Sequence, residues 1–184
     1  MYILALDTTA KTAAVGLVKM EQDKLYPAVT VQLNSTTTHS ESLLPMIDFC
    51  MKNEHITLDE VSIIAVSAGP GSFTGVRIGI STVKGLAFGR DISCVGVSTI
   101  LALAMNVDNE KKGTVICPVM DARRNQFYNA IFVSEGEGTL KRKCADRARG
   151  FDELFEELSK QLRICDFENA VITVSQKPRN VEGS

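Results

Sequence analysis

Histidine is scarce in this sequence. His39 and His55 are the only two, and no cysteine, serine or aspartate stands at catalytic spacing from either. Neither a paired-histidine metal centre nor a Ser-His-Asp nucleophile arrangement is therefore encoded. The five cysteines (Cys50, Cys94, Cys117, Cys144, Cys165) are odd in number, widely spread and never in C-x-x-C spacing. That pattern indicates no zinc site and no disulfide framework, and it suits a reducing compartment. Positive charge is not in surplus either: 20 Lys and Arg stand against 22 Asp and Glu, a net charge of −2. No global field draws the chain to nucleic acid or membrane, so contact with RNA needs phosphate-neutralising charge from elsewhere. No stretch reaches the ~18 apolar residues of a membrane span. The opening Met1-Tyr2-Ile3-Leu4-Ala5-Leu6-Asp7 lacks the basic region of a signal peptide and meets a charge early. Together these absences lead us to expect a cytoplasmic protein without a membrane segment.

What is present is an ordinary globular composition, 45% apolar and 23% charged over 184 residues, enough for one domain or two small lobes. The one basic stretch, Lys141 to Arg149, reads as a solvated loop face in preference to an RNA patch. The most informative run is Ala68-Gly69-Pro70-Gly71-Ser72-Phe73-Thr74-Gly75-Val76-Arg77-Ile78-Gly79. A β-branched segment from Ser62 to Ser67 leads into it and a helical pattern leads out. A turn at the carboxyl end of a strand aims N–H groups above the sheet, often at an anion. Yet the spacing G-x-G-x-x-x-G is one residue too long for a dinucleotide fingerprint, and no Gly-Lys-Ser/Thr follows. The spacing alone leaves the ligand open.

Apolar runs predict strands over 2–6, 13–18 and 25–33, then a helix in which Thr38-His39-Ser40-Glu41 has capping-box spacing. A strand ending at Ser67, a helix over 74–88, a strand at 94–97 and a helix from Ser98 to Met105 complete a ββ β α β α β α order. That is the order of a ribonuclease-H-like lobe, assigned to residues 1–107. A second lobe, 108–184, opens with a strand over 114–121 that again ends in aspartate. Asp7 and Asp121 lie 114 residues apart, and at the same offset Ala14 to Val18 matches Tyr128 to Phe132 as a returning strand. A helix over 151–162 and a strand over 170–174 follow, and then a polar tail, Gln176 to Ser184. Duplicated strand–Asp–hairpin units suit a two-lobed actin-like fold, here with the second lobe truncated.

Four segments in this order resemble the TsaB (YeaZ) family, which serves bacterial tRNA threonylcarbamoyladenosine synthesis. They are Leu4 to Thr9, His39 to Pro45, Gly69 to Gly79 and Met120 to Arg124. The resemblance covers most of residues 1–133 and implies an α/β fold of the actin-like (ASKHA) type, built of two ribonuclease-H-like lobes. It also implies a catalytic paralogue, TsaD, as heterodimer partner, with the ATPase TsaE in a ternary complex. In TsaD-like proteins the helix after the fifth strand carries two metal-binding histidines four residues apart. Thr99 and Leu103 stand at those positions here, and leucine cannot ligate a metal. The family pattern also continues past a strand like Val171 to Val174 into a Gly-Asp-Gly turn, which Ser175-Gln176-Lys177-Pro178 departs from.

The resemblance therefore implies a non-catalytic scaffold or dimerisation subunit that supports TsaD in modifying adenosine 37 of tRNA. Such a subunit meets tRNA only through the complex and homodimerises when alone. It has no intrinsic cofactor beyond weak ATP or ADP binding, for which Asp7, Thr8, Thr9, Gly69, Gly71 and Asp121 are the candidates. Asp7 and Asp121 each fit either a catalytic carboxylate or the cap of its own turn. With no second acidic residue tied to them by motif, the cap is favoured. Arg123 and Arg124 are candidates for contacting a nucleotide or a partner. For the interface, the apolar faces of two helices are the candidates. One is His39, Leu43, Leu44, Ile47, Cys50 and Met51; the other is Val76, Gly79, Ile80, Val83 and Ala87. Tight packing on the sheet explains the small residues Gly75 and Gly79 equally well. The competing function is an ASKHA-type ATPase or kinase using Asp7, Asp121 and the Gly69–Gly75 turn; a peptidase has little support.

Overall fold

The computed structural model describes residues 1–34, 38–107, 111–165 and 170–174. The chain is an α/β protein of two compact units, Met1–Thr99 and Ile100–Ser184. In the first, β1 (Tyr2–Asp7), β2 (Ala13–Glu21) and β3 (Lys24–Leu33) are followed by α1 (His39–Asn53) and a 3-10 turn at Leu58–Glu60. β4 (Val61–Ser67), α2 (Phe73–Ala87) and β5 (Ser93–Val97) complete it. The sheet order is β3-β2-β1-β4-β5, antiparallel through β3-β2-β1 and parallel through β1-β4-β5.

Period-2 burial makes one face of this sheet the core. Leu4 and Leu6 from β1, Val15 and Leu17 from β2, and Ile64 and Val66 from β4 are all buried. Leu43, Ile47 and Cys50 of α1 and Val83 of α2 close over the same cluster. Each side chain so buried contributes roughly 1.5–3 kcal/mol relative to exposure. The capping box expected at Thr38 does not form. Thr38 is the N-cap of α1, but its hydroxyl pairs with Ser40 Oγ at 2.9 Å and makes no cap bond. A box forms at Thr57 instead, where Glu60 Oε2 accepts the Thr57 N–H at 2.8 Å.

α3 (Thr99–Ala104) begins at the division between units, ahead of the 107/108 boundary read from the sequence. The reason is packing: Ile100 and Ala104 share a core with Ile116, Met120, Ala130 and Phe132. The second unit continues with β6 (Val115–Arg123), β7 (Gln126–Asn129), β8 (Phe132–Gly136), β9 (Thr139–Arg142) and β10 (Arg147–Gly150). α4 (Phe151–Cys165) and β11 (Ala170–Val174) follow. β7 and β8 are one returning strand, since Val119↔Asn129 and Ile116↔Phe132 keep a single register along β6. It is interrupted where Ile131 turns its N–H to Cys144 Sγ at 3.2 Å. β9 pairs β8, β10 pairs β7, and β11 runs parallel to β6.

Both units thus set an aspartate-bearing strand between an antiparallel return and a parallel strand, but only β1 ends at its aspartate; β6 runs two residues past Asp121, beyond the end at 121 expected from the sequence. The repeat is not residue-perfect: Asp7 faces Ala14, whereas Asp121 faces Phe127 and not Tyr128. A bulge between Asp121 and Arg123 takes up the difference, and Arg123, Arg124 and Asn125 all have positive φ (64°, 50° and 59°). The readings of residues 175–184 fall outside the described residues. No helix among the described residues is long and apolar enough to cross a membrane.

Candidate functional site

Asp7 ends β1 and its Oδ1 accepts both the N–H and the hydroxyl of Thr9, each at 2.7 Å. This is an Asx turn, the short polar side chain standing in for a backbone acceptor. Asp121 repeats it, accepting the Arg123 N–H at 2.7 Å. Both carboxylates are therefore engaged with their own turns, the role favoured from the sequence.

The turn beyond Asp7 fills the space that the glycine segment leaves. Thr8 Oγ1 donates to the carbonyl of Gly75 at 2.7 Å, and Thr9 O accepts the Ser72 N–H at 2.7 Å. A β-carbon built on Gly75 would overlap the Thr8 carbonyl oxygen. One on Gly71 would lie 2.6 Å from Thr9 O, and one on Gly79 would lie 2.7 Å from Thr8 Oγ1. Absence of Cβ at 71, 75 and 79 thus serves backbone approach. Only Gly69, at φ 109°, needs glycine for its own conformation. Ser72 caps α2 by accepting the Gly75 N–H at 3.2 Å, and Gly69 O accepts the Thr99 N–H at 2.8 Å. The N–H groups of Thr9, Ser72 and Gly75 are spent inside the unit. Close approach to Thr9 accounts for glycine at 71, and the positive φ for glycine at 69.

The helix faces also need correcting. Leu43, Ile47, Cys50 and Val83 are at most 3% exposed, and Gly79 is buried; they belong to the unit's own core and face no partner. Met51 and Ile80 pack at the edge of that core, while Val76 and Ala87 are half-buried. The sequence favours the most apolar stripe of each helix, and that stripe is the one the sheet covers. Of the apolar candidates, only Leu44 stays largely exposed, at 54%. His39 is half-buried, and its Nε2 donates to Ala10 O at 2.8 Å.

The free surface of α1 and α2 carries side chains that the periodicity passes over. Phe49 is 56% and Phe73 72% exposed, and the Arg77 guanidinium lies 4.4 Å over the Phe73 ring. Between the helices is a groove of about 390 Å³ lined by Ser40, Leu44, Phe73, Thr74, Arg77, Ile78, Ser81 and Thr82. The signal for it was present in the sequence as large apolar residues lying off the main stripe.

Elsewhere the chemistry is quiet. Among the described residues no three His, Cys, Asp or Glu gather as a metal site. Burial pushes the Cys117 thiol up to about 12, with Cys144 beside it adding to the shift, and burial raises Cys50 as well. Buried thiols so raised are not nucleophiles. The basic stretch is strand and ion pair: Arg142 meets Asp146, Arg147 meets Glu157 at 2.6 Å, and Arg149 meets Glu153 at 3.2 Å.

Comparison with known proteins follows the same lines. A family model described as "TsaD: tRNA N6-adenosine threonylcarbamoyltransferase" matches residues 33–168. The chain is 35% identical to the tRNA threonylcarbamoyladenosine biosynthesis protein TsaB of Haemophilus influenzae, over 72% of this chain and 54% of that protein. It is 31% identical to the Escherichia coli protein of the same description, over 75% of this chain and 58% of that one. The chain thus spans little more than half the length of these curated relatives. Among solved structures, YeaZ from Pseudomonas aeruginosa superposes with a TM-score of 0.67 at 28% identity, covering 80% of this chain and 66% of that one.

Proposed function

This chain belongs to the TsaB (YeaZ) family, and on that premise we propose that it is a non-catalytic scaffold subunit in the synthesis of threonylcarbamoyladenosine at position 37 of tRNA. It binds a TsaD-family transferase through the outer surface of α1 and α2, with TsaE joining the complex, and pairs with itself through that surface when alone. The observation that carries this reading is the exposure of Leu44 and Phe73 on adjoining helices, both lining a groove between them. Large apolar side chains grouped in this way mark interaction surfaces.

Other features support the same reading. Thr99 and Leu103 occupy the positions that histidines hold in the paralogue, and leucine offers no metal ligand. Asp7 and its turn are committed to internal hydrogen bonds, which weighs against phosphate chemistry there. With a net charge of −2 and paired arginines in the basic stretch, the chain leaves tRNA phosphate binding to its partners. The matching strand–Asp–return plan of the two units supports an actin-like duplication.

The test is reconstitution. Purified chain, TsaD and TsaE are mixed with tRNA, and modification is measured with each subunit omitted. Modification that needs this chain, together with co-elution with TsaD, is the expected outcome. ATP hydrolysis by the chain alone that Asp7→Asn abolishes would overturn the scaffold reading.

A further inference from the structure

Three successive residues of the β1–β2 turn each hold a different point on the two helices. Thr8 Oγ1 bonds the Gly75 carbonyl in the first turn of α2. Thr9 O takes the N–H of Ser72, the N-cap of α2. Ala10 O takes the Nε2–H of His39, the first residue of α1. A carbonyl only accepts, so the ring nitrogen carries the proton, as it does in both charge states of a histidine hydrogen-bonded this way.

The two attachments differ in kind. α2 is seated by backbone contact, with Gly71, Gly75 and Gly79 against Thr8 and Thr9. The start of α1 has no side-chain cap from Thr38, and His39 supplies the tie to the turn. Ser40 and Leu44 of the groove lie within the next turn and a half of α1, and Phe73, Thr74 and Arg77 open α2. Thr8 and Thr9 are 0% and 2% exposed, so they touch nothing that docks.

We infer that the β1–β2 turn is a positioning hub for the α1–α2 groove, and that His39 is the positioning residue that sets where α1 begins relative to α2. This deepens the docking role proposed above and rests on it. A partner reads Leu44, Phe73 and Arg77 only if the two helix starts stand at fixed separation; the turn between β1 and β2 fixes it. Both helices are tied to one rigid element, so the groove is preorganised before any partner arrives.

The experiment compares His39→Phe, which keeps a ring and removes the bond, with His39→Gln, whose amide N–H can replace Nε2–H. Hydrogen exchange followed by mass spectrometry reads the amides of residues 40–46, and titration with a TsaD-family subunit reads affinity. The expected result is about fivefold to tenfold faster exchange in that segment for His39→Phe, the factor one net hydrogen bond gives. Exchange in 73–79 stays as in the parent, affinity falls by a similar factor, and His39→Gln restores both. Unchanged exchange in His39→Phe overturns the inference whether or not a partner docks. Faster exchange with parental affinity also overturns it, provided Leu44→Asp abolishes binding. If Leu44→Asp leaves binding intact, the docking reading fails, and exchange alone then decides whether the turn positions α1.

Discussion

The carbonyl oxygen of Thr8 occupies the place a β-carbon on Gly75 would take. Thr8 and Gly75 are 67 residues apart in sequence and joined by the buried 2.7 Å bond from Thr8 Oγ1 to the Gly75 carbonyl. No side chain at 75 is compatible with that contact unless α2 moves off the turn.

Gly75→Ala should therefore destabilise the protein by about 3 kcal/mol or more, because the displaced atom is backbone and cannot swing aside. Gly85 lies on the same helix with nothing within 4 Å of a built Cβ. Gly85→Ala should stabilise by about 0.5–1 kcal/mol through helix propensity alone. Denaturant unfolding of the two variants checks both signs in one helix.

Neighbouring leucines on α1 should behave oppositely. Leu43 is 1% exposed and Leu44 54%. Leu43→Ala should lose about 2–5 kcal/mol of stability. Leu44→Asp should leave the unfolding midpoint nearly unchanged and weaken partner binding at least tenfold. Thermal unfolding read beside a binding titration separates the two.

Cys117 brings an alkaline limit. Its thiol is pushed from 9 up to about 12 in the folded chain by burial first, then by Cys144. The folded state holds this proton longer than the unfolded one, so the contribution is complete below about pH 9 and is lost as pH rises toward 12. The expected slope is up to ~1.4 kcal/mol per pH unit in that window. Cys117→Ala should flatten it while lowering stability at neutral pH, as unfolding curves at stepped pH would show.

The β6–β7 hairpin holds Arg123, Arg124 and Asn125 in the left-handed region without a glycine, the last two forming its turn. Left-handed backbone costs an ordinary side chain roughly 1–2 kcal/mol. Asn-Gly is the preferred pair for such a two-residue turn. Replacing Arg124 with Asn and Asn125 with Gly should raise stability by about 1 kcal/mol, measured by denaturant unfolding.

The strands and helices were legible because their signals are local. Val15 and Leu17 alternate with Ala14 and Gly16, and the Asx turn at Asp7 needs only residues 7–9. The purpose of the glycines was not legible, since their partner is a turn more than sixty residues away. Nor does an apolar helical stripe state what it faces: Leu43 and Ile47 fit a partner or a core equally well until the sheet is seen beneath them. The bulge at Asp121–Arg123 left no mark because the hairpin lacks the glycine that usually announces it.

The diverted N–H of Ile131 has an effect on what this sheet can recruit. Because the returning strand breaks there, its outer side is lined by two separate strands of four residues each, β9 and β10. Those short pieces carry Lys141, Arg142, Arg147 and Arg149. A long, flat, uncharged border would template pairing with other chains; brief charged ones resist it. The Cys144 thiol, taking the Ile131 N–H between those two strands, thereby helps keep this one border of the second unit from edge-to-edge pairing.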